Sequence, residues 1–144
     1  MDAAGAQSKH GEQAAQVEQT GGCACGAVRF RVSAQPRRVS LCHCMTCRRI
    51  HGAPFGVYAI FPRHAFAVTG KTLAWESSAT GKRHHCPVCG SPVYLAFDGV
   101  DEIEVPTGVF DETGLYPPQY EIWCKSAEPW HDAQGRPRFL RGAP

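Results

Sequence analysis

The sequence predicts one mainly β domain built from antiparallel sheets. Three observations predict it. Short runs of β-branched and aromatic residues recur, and turn residues close them. Fifteen glycines and eleven prolines in 144 residues punctuate the chain too densely for long helices. No window sustains a 3.6-residue apolar period.

Residues 1 to about 20 are mostly Ala, Gln, Glu and Gly, with almost nothing to bury. They are expected to form a disordered tail ahead of a folded domain over 21–144. The tail has no apolar core of the kind a secretory leader carries, so the chain is expected to be cytoplasmic. Ala27-Val28-Arg29-Phe30-Arg31-Val32 alternates apolar and polar, as a half-buried strand does. Phe55 to Phe61 is a β-forming run that stops at Pro62, and Pro92 to Phe97 is another, closed by the turn pair Asp98-Gly99. Asp101 to Val105 alternates again. Short helical turns are expected after Cys44 and after Asp111.

The length is that of one domain. With 43% hydrophobic and 19% charged residues the chain is globular, and its longest apolar stretch is too short for a membrane helix. A net charge of +2 hides an uneven layout. Arg29 to Arg83 holds ten Lys or Arg against Glu76, and Asp98 to Asp132 holds nine acids against Lys125. The simplest reading is two halves of one fold that attract each other. No basic run is dense enough, or interleaved with aromatics, to mark a nucleic-acid surface.

Eight cysteines in a reducing compartment point to metal rather than disulfides. They form three groups and a singleton: Cys23 and Cys25; Cys42, Cys44 and Cys47; Cys86 and Cys89; and Cys124 alone. Cys86-Pro87-Val88-Cys89-Gly90 has the form of a zinc knuckle, two thiolates on a tight turn that glycine allows. A tetrahedral site needs a second pair. Cys23 and Cys25 supply it, because the middle group already has three sulfurs of its own. Zinc held between these groups would staple the two halves of the domain. Cys42, Cys44 and Cys47 lie within six residues, three ligands with a vacancy, as a catalytic zinc has. Spacing alone leaves that reading level with a structural site completed by His43, His51 or Cys124. His43 lies between two ligands and is expected to point away from the metal, so His51 is better placed.

At these residues the sequence resembles the glutathione-dependent formaldehyde-activating enzymes, grouped with centromere protein V. The shared motifs are Gly22-Cys23-Ala24-Cys25-Gly26-Ala27-Val28-Arg29-Phe30, Cys42-His43-Cys44-Met45-Thr46-Cys47-Arg48-Arg49 with Gly52-Ala53-Pro54-Phe55, Cys86-Pro87-Val88-Cys89-Gly90-Ser91, and Ala127-Glu128-Pro129-Trp130. The resemblance implies a zinc-bearing β fold of coiled antiparallel sheets, like that of methionine sulfoxide reductase B and a Rab-binding zinc protein. It implies structural zinc on Cys23, Cys25, Cys86 and Cys89, and a second, catalytic zinc on Cys42, Cys44 and Cys47. The implied reaction joins formaldehyde to glutathione, a carbon–sulfur lyase run in the forming direction on a small-molecule thiol. Arg48 and Arg49 could attract the carboxylates of glutathione, or could simply be solvated. Where many members carry histidine before the final Pro-Trp, this chain has Glu121.

Two other functions compete with this one. Cys124, beside Lys125, could be the nucleophile of a thiol redox enzyme, or only a small buried hydrophobe. A zinc-stapled domain could also be a non-catalytic binding module. His84 and His85 could support the thiolates, or point to opposite faces of a strand. Trp130 is expected to pack over the core near the metal loop.

Overall fold

The computed structural model of the chain describes residues 18–143. The expected tail falls largely outside the described residues. Its last part does not: Gln19 and Thr20 belong to strand β1 (Gln19–Gly22). The other strands are β2 (Arg29–Val32), β3 (Arg38–Cys42), β4 (Gly56–Phe61), β5 (Phe66–Thr69), β6 (Leu73–Glu76), β7 (Gly81–His85), β8 (Pro92–Phe97), β9 (Ile103–Pro106) and β10 (Tyr120–Ile122). One helix, α1 (Met45–His51), follows β3. The β-rich runs read from sequence became β2, β4, β8 and β9. The helical turn after Cys44 is α1. The one expected after Asp111 is absent, because Gly114 takes a left-handed φ of 77° there and two prolines follow. A single helical turn forms earlier, at Thr107–Val109.

The strands make two sheets, ordered β1-β2-β5 and β10-β3-β4-β9-β8-β7-β6. All pairings but one are antiparallel. β10 runs parallel to β3, with Glu121 opposite Leu41 and Ile122 opposite Cys42. This corrects the expectation of purely antiparallel sheets. A parallel neighbour needs a long crossover, and the whole run from β4 to β9 supplies it. Gln119 guides the entry: its N–H donates to the Val39 carbonyl and its side-chain oxygen accepts from the Val39 N–H, both at 2.9 Å.

β4 is buried on both faces, which is why it reads as a continuous apolar run rather than an alternation. Ala59 and Phe61 face a core that includes Phe30, Val32, Val39, Val93, Val105, Cys23 and Cys86. Tyr58 and Ile60 face a second, smaller cluster with Cys42 and Cys47, flanked by Ile122 and Trp123. The period-2 geometry of one strand therefore sets two cysteine groups on opposite faces of the large sheet.

The charge layout resolves as the internal attraction read from sequence. Arg29 meets Asp111, Arg37 and Arg38 meet Glu102, Arg48 meets Glu128 and Lys82 meets Asp98. Each pair joins the basic stretch to the acidic one. No helix among the described residues is long and apolar enough to cross a membrane.

Candidate functional site

Cys23, Cys25, Cys86 and Cys89 come together with their sulfurs all within 4.8 Å of one another. The separation is 3.6 Å from Cys23 to Cys25 and 3.8 Å from Cys25 to Cys86. Those distances are far too long for a disulfide. They match the roughly 3.8 Å edge of a tetrahedron whose metal–sulfur bonds are about 2.3 Å. The backbone is wrapped for anionic sulfur as well: the Val28 N–H donates to Cys23 Sγ at 3.2 Å and the Val88 N–H to Cys86 Sγ at 3.4 Å. The Ser91 hydroxyl holds the Cys89 thiol down at about 5, and also accepts from the Ala24 N–H at 2.9 Å, bridging the two knuckles. Gly90 closes the second knuckle at φ 78°, a conformation that strains any residue with a Cβ. Cys23 and Cys86 are buried in the main core, so this group is fused to it.

Cys42, Cys44 and Cys47 form the second group, again with sulfurs within 4.8 Å of one another. Cys42 ends β3. Cys44 is the N-cap of α1, its sulfur accepting from the Cys47 N–H at 3.3 Å, and Cys47 sits one turn in. Hydrogen bonds from Cys42 and Cys47 draw the Cys44 thiol down to about 2, while the same exchange and burial push Cys42 up.

Two residues that the sequence did not single out complete this group. The Tyr58 hydroxyl donates to Cys47 Sγ at 3.3 Å, and Arg83 reaches Tyr58 Oη at 3.3 Å and Cys47 Sγ at 3.6 Å. Burial pushes the Tyr58 phenol up, so it keeps the proton it donates. Among the described residues His51 is not part of the three-cysteine group, and it lies 2.7 Å from Tyr58 Oη. Gly56 makes this possible, since a Cβ there would stand 2.8 Å from the His51 ring and 2.9 Å from Tyr58 Oη. Gly56→Ala should therefore part His51 from Tyr58 and cost roughly 1–3 kcal/mol. Urea unfolding measures the cost, and the histidine proton resonances report the lost contact.

His43 points away from the sulfurs, as read from its place between two ligands. It is fully buried, with Nε2 2.8 Å from Glu121 Oε1. Glu121, also fully buried, takes His131 at 3.0 Å and Arg136 at 2.9–3.0 Å, and Arg138 lies 3.4 Å away. Two arginines on one carboxylate make this a closed ion cluster rather than a cation site. Glu121 thus does not line a substrate path; it pins the segment beyond β10 to the back of the Cys42–Cys47 loop.

A cavity of about 450 Å³ opens at Cys44. Its walls include Met45, Arg83, Phe97, Trp123, Lys125 and the Ser77-Ser78 turn. Trp123 has φ 56°, rare for a bulky residue. Arg48 is not among the lining residues. It holds Glu128 at 2.6 Å and the Pro54 carbonyl at 3.3 Å, so neither a solvated nor a ligand-reading role fits it. Arg49 is exposed outside the cavity. Cys124 is half-buried on the single turn Cys124–Ser126 and belongs to neither sulfur group. His84 stacks on Tyr94 at 4.1 Å, away from the thiolates. Trp130 is 67% exposed, correcting its expected place over the core.

The fold and site define a β-sheet protein with two metal-type cysteine groups, one closed by four sulfurs and one with three beside a cavity. The glutathione-dependent formaldehyde-activating enzyme family profile matches residues 18–126, and the chain belongs to that family. It is similar to an uncharacterized lyase of Schizosaccharomyces pombe, 28% identical over 80 residues. That match covers 56% of this chain and 58% of the length of the relative. The fold is shared with a crystal structure of a Rhodobacter sphaeroides protein, at TM-score 0.54 and 19% identity over 83% of this chain and 98% of the other.

Proposed function

We propose that the chain is a zinc-dependent enzyme that joins a thiol to an aldehyde, glutathione to formaldehyde in the family's named reaction. Cys23, Cys25, Cys86 and Cys89 hold a structural zinc, and Cys42, Cys44 and Cys47 hold a second one. The observation that carries this reading is the middle group. Among the described residues its ligand set stops at three, the alternatives His43 and His51 are committed to Glu121 and Tyr58, and a cavity adjoins Cys44.

Zinc at that position would supply a positive centre that favours the thiolate form of a bound thiol and polarises an aldehyde oxygen. The chain's residues do the rest. Three thiolates around a dication leave one negative charge, and the Arg83 guanidinium beside Cys47 offsets it. Tyr58, anchored by His51, keeps Cys47 oriented. The cavity walls hold the two reactants together, which converts an encounter into a positioned addition. The thiol sulfur attacks the carbonyl carbon, a carbon–sulfur bond forms as the carbon–oxygen π bond breaks, and the oxygen takes the proton that the thiol gave up.

Zinc content of freshly purified protein tests this reading. Close to two zincs per chain are expected. Cys44→Ser should lose one of them with the fold intact, and should lose the acceleration of hydroxymethyl-thioether formation followed by proton resonance. One zinc per chain, unaffected by Cys44→Ser, would overturn it in favour of a binding module.

A further inference from the structure

We propose that Lys125 is the residue by which the cavity at Cys44 selects thiols carrying a negative charge; the inference rests on the reading that the open side of the three-cysteine group takes a thiol. The cavity volume, about 450 Å³, suits a small molecule. Two cations line it, Arg83 and Lys125, and no acid does. An anion entering it meets two cations and no carboxylate.

The two cations are not equivalent. Arg83 is committed at both terminal nitrogens, to Tyr58 and to Cys47. Lys125 is not: among the described residues no carboxylate lies within ion-pair distance of its ammonium. Nζ rests over the Trp123 ring, 5.5 Å from its centroid. At an exposed position that contact is weak, and a carboxylate brought in beside it would displace it.

The backbone beneath this pair is fixed by contrast. Trp123, Cys124 and Lys125 donate their N–H groups to the carbonyls of Arg141, Phe139 and Leu140 at 2.8, 3.1 and 3.3 Å. Those three bonds hold Trp123 in its left-handed conformation, and strain retained at a cavity wall is a mark of use. The holding residues lie beyond residue 126, outside the family match.

Cobalt in place of zinc makes ligand entry visible, because its absorption changes when a further sulfur joins the ion. Titrating the cobalt-loaded protein with 3-mercaptopropionate and with 2-mercaptoethanol gives two dissociation constants for thiols of similar size. The ratio favouring the anion should fall about two- to fivefold in Lys125→Ala, the size of one exposed charge pair. It should fall further in Lys125→Glu and return in Lys125→Arg. Raising salt should shrink it in the wild type and not in Lys125→Ala. An unchanged ratio in Lys125→Ala, with both thiols still perturbing the spectrum, overturns the role of Lys125 alone. A spectrum that neither thiol perturbs overturns the open-site reading on which it rests.

Discussion

Replacing Glu121 with alanine should destabilise the protein by about 3–5 kcal/mol, the cost of breaking a buried ion cluster by removing its shared partner. One carboxylate with no exposed surface serves His43, His131, Arg136 and Arg138, which come from two separate stretches of chain. Its removal strands two arginines and frees both histidines. Urea unfolding of Glu121→Ala and of the milder Glu121→Gln measures the loss. Acid gives a second check. Burial opposes the charge on Glu121, but hydrogen bonds from His131, His43 and Arg136 outweigh it and bring the carboxyl down to about 2. A carboxyl lowered on folding contributes stability above its unfolded value, near 4.5, and loses it as pH falls through the folded one. The wild type should therefore lose on the order of 3 kcal/mol more than Glu121→Gln between pH 4.5 and 2. Equal acid sensitivity of the two proteins would remove Glu121 from this account.

Cys86→Ala should have the larger effect on folding, abolishing the cooperative transition rather than shifting it. Cys86 is fully buried in the main core and its sulfur stands 3.8 Å from Cys25. The group joins the β1–β2 turn to the β7–β8 turn, so the binding free energy of a metal held there would be folding free energy. Purified Cys86→Ala should show little bound zinc at that group and dispersed thiol reactivity at Cys23, Cys25 and Cys89. Cys44→Ser, by comparison, should keep a cooperative transition, because the four-sulfur group is untouched. A cooperative Cys86→Ala protein would show that the core folds without that metal.

What could be read from sequence was local. β2, β4, β8 and β9 announce themselves through alternation or apolar runs, and the cysteine groups through spacing. The charge halves were legible because ion pairs need only opposite signs in bulk. The parallel β10 was not. It is three residues long, and nothing beside Glu121 in the sequence points to its partners His43, His131 and Arg136. The cavity wall was missed for the same reason. Nothing near Tyr58 or Arg83 signals a sulfur partner, since the contact exists only once β4 and β7 are placed beside α1. The conformation of Trp123 depends on the carbonyls of Phe139, Leu140 and Arg141, well beyond it in the chain.

The parallel pairing of β10 with β3 also fixes an order of assembly. A chain leaving the ribosome can close the four-sulfur group once Ser91 and its knuckle have emerged, and domains build from what has emerged. The three-sulfur group cannot acquire its wall until Arg141 is free to hold Trp123. The cavity at Cys44 therefore depends on the far end of the chain, whereas the residues of the four-sulfur group are all in place by Ser91.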